Sequence, residues 1–334
     1  MKKKISLSIC FIMIISMFAF TSSVLATQEL VMGGIQSPTA PPTLAGRFFG
    51  EEIERRTEGR YTVRMVEGAA LGPILDQYEQ TMTGAQDFII EALGFNSNFV
   101  KDYGVMAVPF AIQNKEELKT FLESDIADGW RKQLQEEYNL MTLTDKLIRS
   151  PRVVHSTRRV ETAEDMEGMP FRVPEIETYF EGWRAIGVNP TPVAWGEVYM
   201  ALNQGVIDAG EGPFTTHYPM GFTEASKYVL ETNHLYATNT IIMNNDLFES
   251  LSEEDKKHFI EAAEATEVFF ENHILAMEME HRELIESEHG AEFIQPTDEA
   301  IAEFASRVEE KIEEWEEMGL WSEGLYDEMI NTIR

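Results

Sequence analysis

The sequence predicts an α/β protein of two interwoven domains, and three observations predict it. Strand-like and helix-like segments alternate over the first hundred residues, as in an α/β domain with a largely parallel sheet. No low-complexity linker and no internal repeat divides the chain, so two domains would share it through several crossings. One helical segment of almost forty residues, from Leu251 to about His289, is too long for a single small domain.

The elements follow in order. Lys2, Lys3 and Lys4 precede the 16-residue apolar run ISLSICFIMIISMFAF, and SSVLA ends in the small residue Ala26. This is the pattern of a secretory signal peptide, residues 1–26, cleaved after about Ala26. The run is short for a membrane span, and the residues before Cys10 lack the small residue of a lipoprotein signal. Residues 29–34 read as a buried strand opening into a glycine turn, and 43–59 as an amphipathic helix ending at Gly59. Residues 61–67 alternate as a strand does, and a helix ending near Gly84 leads to a strand from Asp87. Residues 114–124 form a capped helix, and 141–148 and 152–159 read as strands. TAED, residues 162–165, resembles a capping box on a short turn. A short strand carries Arg172, a helix covers 175–187, and a shorter one covers 196–205. Strands follow at 227–236 and 239–245. Residues 251–289 hold no proline or glycine and read as one helix or two joined at a kink; as one helix they would extend about 58 Å, a length suited to bridging two domains. Two more helices are expected at about 298–318 and 322–333.

Composition narrows the function. Acidic residues number 58 and basic ones 27; without the leader the net charge is −34 (−31 − 3), and about 308 residues (334 − 26) remain without cysteine. Such an excess argues against nucleic acid and against anionic membrane surfaces as partners. The lack of cysteine excludes disulfides and thiolate metal sites. No HExxH, GxSxG, Walker loop or GxGxxG follows a strand, so neither a metal nor a cofactor is expected. Acidic residues are too frequent for a carboxylate pair to carry meaning.

Arg172 stands apart. In GMPFRVPEIE it lies between Phe171 and Val173, with Pro170 and Pro174 just outside. A guanidinium cannot give up its charge, so its burial requires an anionic partner. That partner is either one of the chain's own acids or a ligand carboxylate held by the two-pronged donor. An exported, cysteine-free, two-domain protein without a catalytic motif is, by elimination, a solute-binding protein.

The segment TAEDMEGMPFRVPE…YFEGWRAIGVNPTPVAWGEVYMALNQGVIDAGEGP, residues 162–213, resembles the signature region of the solute-binding proteins of TRAP transporters, the DctP family. The order and spacing of FRVP, PTP, EVYMAL, QGVIDA and EGP carry the resemblance, which extends over the mature chain. It implies a periplasmic-binding-protein-like clam shell whose two lobes share strands and a long helix. It sets lobe I at 27–149 plus 238–277 and lobe II at 150–237 plus 278–334. It implies a periplasmic carrier, not an enzyme, that delivers an organic acid to ion-gradient-driven TRAP membrane subunits. It implies that Arg172 pairs with the ligand carboxylate, with Arg152 as second arginine and Trp195 as the aromatic wall. Glu175 occupies a position that contacts polar ligand groups. Gly212 stands where many members have Asn. Gln36, Glu91, Glu211, Phe214 and Tyr218 complete the expected lining. Uncharged Gln36 and Ser37 in the N-terminal loop speak against a zwitterionic, ectoine-like ligand, although Glu91 or Glu175 could serve its cationic end. Two rivals stand beside the carrier: an exported lyase or hydrolase of acidic sugars with His155 or His217 as base, and an ATP-driven (ABC-type) binding protein, which would lack this signature.

Overall fold

The computed structural model describes residues 27–334; the expected signal peptide lies outside the described residues. Eleven strands among them form two mixed sheets. In chain order they are β1 (Gln28–Gly33), β2 (Tyr61–Val66), β3 (Phe88–Ala92), β4 (Leu140–Ile148), β5 (Arg152–Ser156), β6 (Pro170–Val173), β7 (Asn189–Pro192), β8 (Ala209–Pro213), β9 (Tyr228–Leu235), β10 (Thr238–Asn244) and β11 (Glu292–Ile294).

The first sheet runs β2-β1-β3-β10-β4 and the second β11-β9-β5-β8-β6-β7. β1 lies parallel to β2 and β3, as the alternating pattern predicts. The expectation of a largely parallel sheet needs one correction. β10, from the far half of the chain, is wedged antiparallel between β3 and β4. The second sheet has the same plan, with β5 antiparallel to β8 and β9 and the other pairs parallel. Central strands such as β3 and β10 are buried along their whole length, because helices cover both faces.

Two near-continuous strands connect the sheets. β4 passes into β5 through residues 149–151, and β9 into β10 through 236–237. β4 pairs with β10, and β5 pairs with β9. At the crossing, the Arg149 N–H donates to the Ala237 carbonyl at 3.0 Å. The crossing is therefore a hydrogen-bonded two-strand ribbon.

Local chemistry sets the helix ends. α1 (Pro41–Arg56) starts on a proline pair, two residues earlier than periodicity suggests, since proline fits the first turn. α2 (Ile74–Thr83) stops at Gly84, whose φ of 75° suits a residue without a Cβ. α3 (Lys115–Leu122) begins at Asn114, whose side chain accepts the Glu117 N–H at 2.9 Å. α4 (Asp125–Tyr138) has no counterpart in the sequence reading; Ala127, Trp130 and Leu134 are its only buried residues, a stripe too thin to stand out among charges. α5 (Glu177–Ile186) ends at Gly187, and α6 (Val198–Asn203) is short, as expected.

The long segment is one unbroken helix, α7 (Glu253–Ser287), of 35 residues, capped by Ser252. Its Phe259, Ala262, Ala263 and Phe270 pack with Phe49 and Ile53 of α1 onto the first sheet. Farther along, Ile285 joins Val153 and Val229 of the second sheet, and the His281 Nδ1–H donates to the Thr215 carbonyl at 2.7 Å. The helix thus touches both sheets. The segment expected as one helix at 298–318 divides into α8 (Asp298–Glu309) and α9 (Ile312–Glu317), and α10 (Leu325–Ile333) closes the chain. No helix among the described residues is long and apolar enough to cross a membrane.

Candidate functional site

A cavity opens where the ribbon crosses between the sheets. The first sheet contributes Gln36, just after β1, and Glu91 of β3, with Phe95 beside them. Arg152 of β5, Arg172 of β6 and Tyr179 of α5 face them, with Trp195 beyond β7. Arg149 enters from the crossing itself. A second, roomier chamber of about 140 Å³ adjoins this one through Arg172 and Trp195 and is lined in part by the exposed Glu175.

Alternation along β6 explains how Arg172 arrives there. Phe171 and Val173 enter the core, Phe171 stacking on Trp183 at 4.2 Å, and Arg172 takes the opposite face. Its side chain is 2% exposed. Nε donates to the Val193 carbonyl at 2.9 Å, and the guanidinium lies 5.0 Å from the centroid of Trp195. Nη1 is buried with no hydrogen-bond partner, and among the described residues no carboxylate comes within 4.0 Å. Burial, with Arg152 adding repulsion, pushes the guanidinium down to about 10. An internal ion pair, the first of the two readings of this residue, is not formed.

Arg152 behaves in the opposite way. Both Nε and Nη2 donate to the Glu211 carboxylate, and Tyr179 lies under the guanidinium at 5.0 Å. The His234 Nε2–H completes the group at 3.2 Å from Glu211, while Thr232 hydrogen-bonds its Nδ1 at 2.7 Å. Burial alone would raise the Glu211 carboxyl; Arg152 and His234 outweigh it and hold the group well below the carboxylate range. Glu211, expected in the lining, is instead completely buried as the counter-ion of Arg152. Arg152 itself lines the cavity with its charge already neutralised.

On the other wall, Gln36 Nε2 donates to Glu91 at 3.2 Å, and the Ala92 N–H donates to the same oxygen at 2.9 Å. Burial raises the Glu91 carboxyl, and Arg149 partly opposes that shift.

Gly212 has a different role from the one expected. A Cβ there would sit 3.0 Å from Trp195 Cη2 and 3.2 Å from His217 Nε2. The bare backbone leaves that space to the indole, which packs over Arg172. Phe214 and Tyr218 are not brought to the cavity. Phe214 meets Phe293 and Arg282 beside α7, and Tyr218 donates to Glu288 at 2.7 Å. The chain turns away after Pro213, where β8 ends in a short helical turn toward α7. The sequence reading missed Arg149 and Tyr179. Arg149 carried a usable signal, because LIRSPR, like FRVP, sets an arginine between an apolar residue and a nearby proline.

The candidate bases of a hydrolytic enzyme lie outside the lining. His155 and His217 are fully buried with ring centroids 4.9 Å apart. Burial, then the nearby Arg152, pushes His217 down to about 3, and burial with His217 beside it holds His155 well below the ordinary range. Both are neutral near pH 7.

This arrangement has relatives. Residues 32–318 match the family described as bacterial extracellular solute-binding protein, family 7, DctP. The chain belongs to that family. A member from Roseobacter denitrificans is 28% identical over 279 residues, 83% of this chain and 85% of its own. Its crystal structure with bound L-galactonate superposes with a TM-score of 0.84 at 25% identity, covering 92% of this chain and all of the other. The ectoine-binding periplasmic protein of Halomonas elongata is 28% identical over 261 residues, 77% of this chain and 76% of its own. A TRAP periplasmic solute-binding protein of Chromohalobacter salexigens, solved with D-glucuronate, superposes with a TM-score of 0.84 at 26% identity, over 91% of this chain and 99% of that one. Family members are bacterial extracellular solute-binding proteins, and the present chain has their two-lobed α/β fold and function.

Proposed function

We propose that this protein is a periplasmic carrier of a hydroxylated monocarboxylic acid, such as a sugar acid, and hands it without turnover to ion-gradient-driven TRAP membrane subunits. One observation carries the reading: Arg172 presents a buried Nη1 without a protein partner beside the cavity, a donor suited to a ligand carboxylate. Solved relatives with bound L-galactonate and D-glucuronate support the ligand class. An ectoine-like zwitterion fits less well, because the cationic end of such a ligand would enter a cavity already holding Arg149 and Arg172.

In the mechanism, the ligand carboxylate docks on Arg172 and takes up its free donor. Trp195 covers the guanidinium and excludes water, which strengthens the charge-assisted hydrogen bonds. Glu91 and Gln36 offer polar contacts from the opposite wall. Lobe I at 27–149 plus 238–277 and lobe II at 150–237 plus 278–334 then close about the ribbon, whose crossings at 149–151 and 236–237 support the two boundaries there, although α10 packs on α3 of lobe I. The membrane subunits recognise the closed form, whose population rises with the ligand's preference for it.

A thermal-shift screen of residues 27–334 against sugar acids, dicarboxylates, neutral sugars and zwitterions tests the proposal. A ligand at a hundred times its Kd adds about 2.7 kcal/mol. Hits among hydroxylated monocarboxylates, with the ligand recovered unchanged, are expected. Arg172→Lys keeps the charge and loses the planar donor pair, so calorimetry is expected to show binding weaker by about 1.5–3 kcal/mol. Hits confined to neutral or cationic compounds, or unchanged affinity in Arg172→Lys, would refute the proposal.

A further inference from the structure

Arg149 lines the same cavity and has no carboxylate within 4.0 Å among the described residues. It occupies the joint between β4 and β5, where its N–H is bonded to Ala237, so both strands of the ribbon hold its backbone. Its side chain is 3% exposed. Arg152 repels it and Glu91, on the opposite wall, attracts it. The charged groups are therefore three guanidinium groups in the lining, Arg149, Arg152 and Arg172, and two carboxyl groups, Glu91 in the lining and Glu211 behind Arg152, all buried; burial raises the lining phenol Tyr179 and lowers His234, which sits on Glu211, and so favours the neutral form of both. Both oxygens of Glu91 accept, Oε1 from Gln36 and the Ala92 N–H and Oε2 from Gln36 at 3.4 Å, a pattern that suits an ionised carboxylate, and Arg149 favours that form against the effect of burial. Three positive charges against two negative ones leave one positive charge uncompensated.

We infer that the closed cavity selects ligands of charge −1, and that Arg149 is the cation that sets this number. The inference rests on the carboxylate role proposed for Arg172. A buried charge without a partner is strongly unfavourable. A monoanion brings the closed cavity to neutrality, a neutral ligand leaves one positive charge, and a dianion leaves one negative charge. A ligand hydroxyl can accept from Arg149 and donate to Glu91, so the polyol tail of a sugar acid would join the two walls beside the hinge.

The test uses ligands of one carbon skeleton and three charges: galactonate, galactarate and galactitol, or the gluconate, glucarate and glucitol set if gluconate binds more tightly. Titration calorimetry on the wild-type protein is expected to rank the monoanion first, the dianion about tenfold or more weaker, and the alditol weakest. Glu91→Gln raises the cavity charge by one and is expected to move the dianion-to-monoanion affinity ratio toward the dianion by about tenfold or more. Arg149→Gln lowers the charge by one and is expected to move that ratio the other way while weakening both ligands. Comparing ratios removes steric effects of the second carboxylate, and the near-isosteric Glu91→Gln suffices if Arg149→Gln does not fold. Monoanion binding with ratios unmoved, or moved in the same direction, overturns the charge rule while leaving Arg172 as anchor. If no carboxylate binds the wild-type protein, the role of Arg172 is overturned and this inference falls with it.

Discussion

Removing Arg172 is expected to make the ligand-free protein more stable, and removing Arg152 to make it much less so. Consider Arg172→Met. The native guanidinium sits in a buried site that lowers its pKa from the ordinary arginine value to about 10, a shift worth about 3 kcal/mol against the charged form. Against that gain stand the hydrogen bond to Val193, worth about 1 kcal/mol, and the contact with Trp195, worth about 1 kcal/mol. The net expectation is a ligand-free protein about 1 kcal/mol more stable that no longer binds its acid. Arg152→Met instead leaves Glu211 buried without its bidentate partner, and breaking such a pair costs about 3–5 kcal/mol. Urea denaturation of both variants without ligand, with thermal shift as a second probe, measures the difference. A loss of 3 kcal/mol or more in Arg172→Met would show that Arg172 has a structural partner and would refute the reasoning.

Three further outcomes are expected. Gly212→Ala places a Cβ 3.0 Å from Trp195 Cη2, so the indole over Arg172 must give by a few tenths of an ångström; weaker binding, by about 1–3 kcal/mol, with an altered tryptophan emission spectrum is expected. Phe214→Leu and Tyr218→Phe, both away from the cavity, are expected to leave calorimetric affinity unchanged, and a marked loss in either would return them to the site. His217 is held down to about 3 in the fold against an ordinary 6.5, so the unfolded chain takes up a proton that the fold refuses and stability is lost as pH falls through that window. In His217→Gln the slope of unfolding free energy between pH 6 and 4 is therefore expected to be shallower by about 1.4 kcal/mol per pH unit.

Legibility in the sequence tracked how local each cause was. α2 and α5 were readable because their ends depend on nearby residues, Gly84 and Gly187, whereas α1 was placed two residues late at its start because periodicity does not register its proline pair. The helical character of α7 was readable because it holds no proline or glycine, but one straight helix and two joined at a kink were not distinguishable until its packing along both sheets was seen. The placement of β10 between β3 and β4 was not, since it depends on pairing across more than ninety residues of chain. The site divides similarly. Arg172 was marked by an apolar, proline-bounded setting that only an anion could satisfy. Glu211 looked like lining because its two partners, Arg152 and His234, lie 59 and 23 residues away and leave no local trace. Phe214 and Tyr218 followed a site motif in sequence but not in space, because the chain reverses at Pro213.

The ribbon through Arg149 has a mechanical consequence. Its two strands are hydrogen-bonded to each other where they cross, so they resist sliding and twisting separately and act as one axle. Rotation about an axle displaces points in proportion to their distance from it. Groups beside Arg149 keep nearly the same spacing whether the shell is open or shut, while the far lips of the cleft sweep the greatest arc. A ligand bound at the pivot end of the site would thus meet almost its final geometry at once, and the distant rim would undergo the larger change of outline.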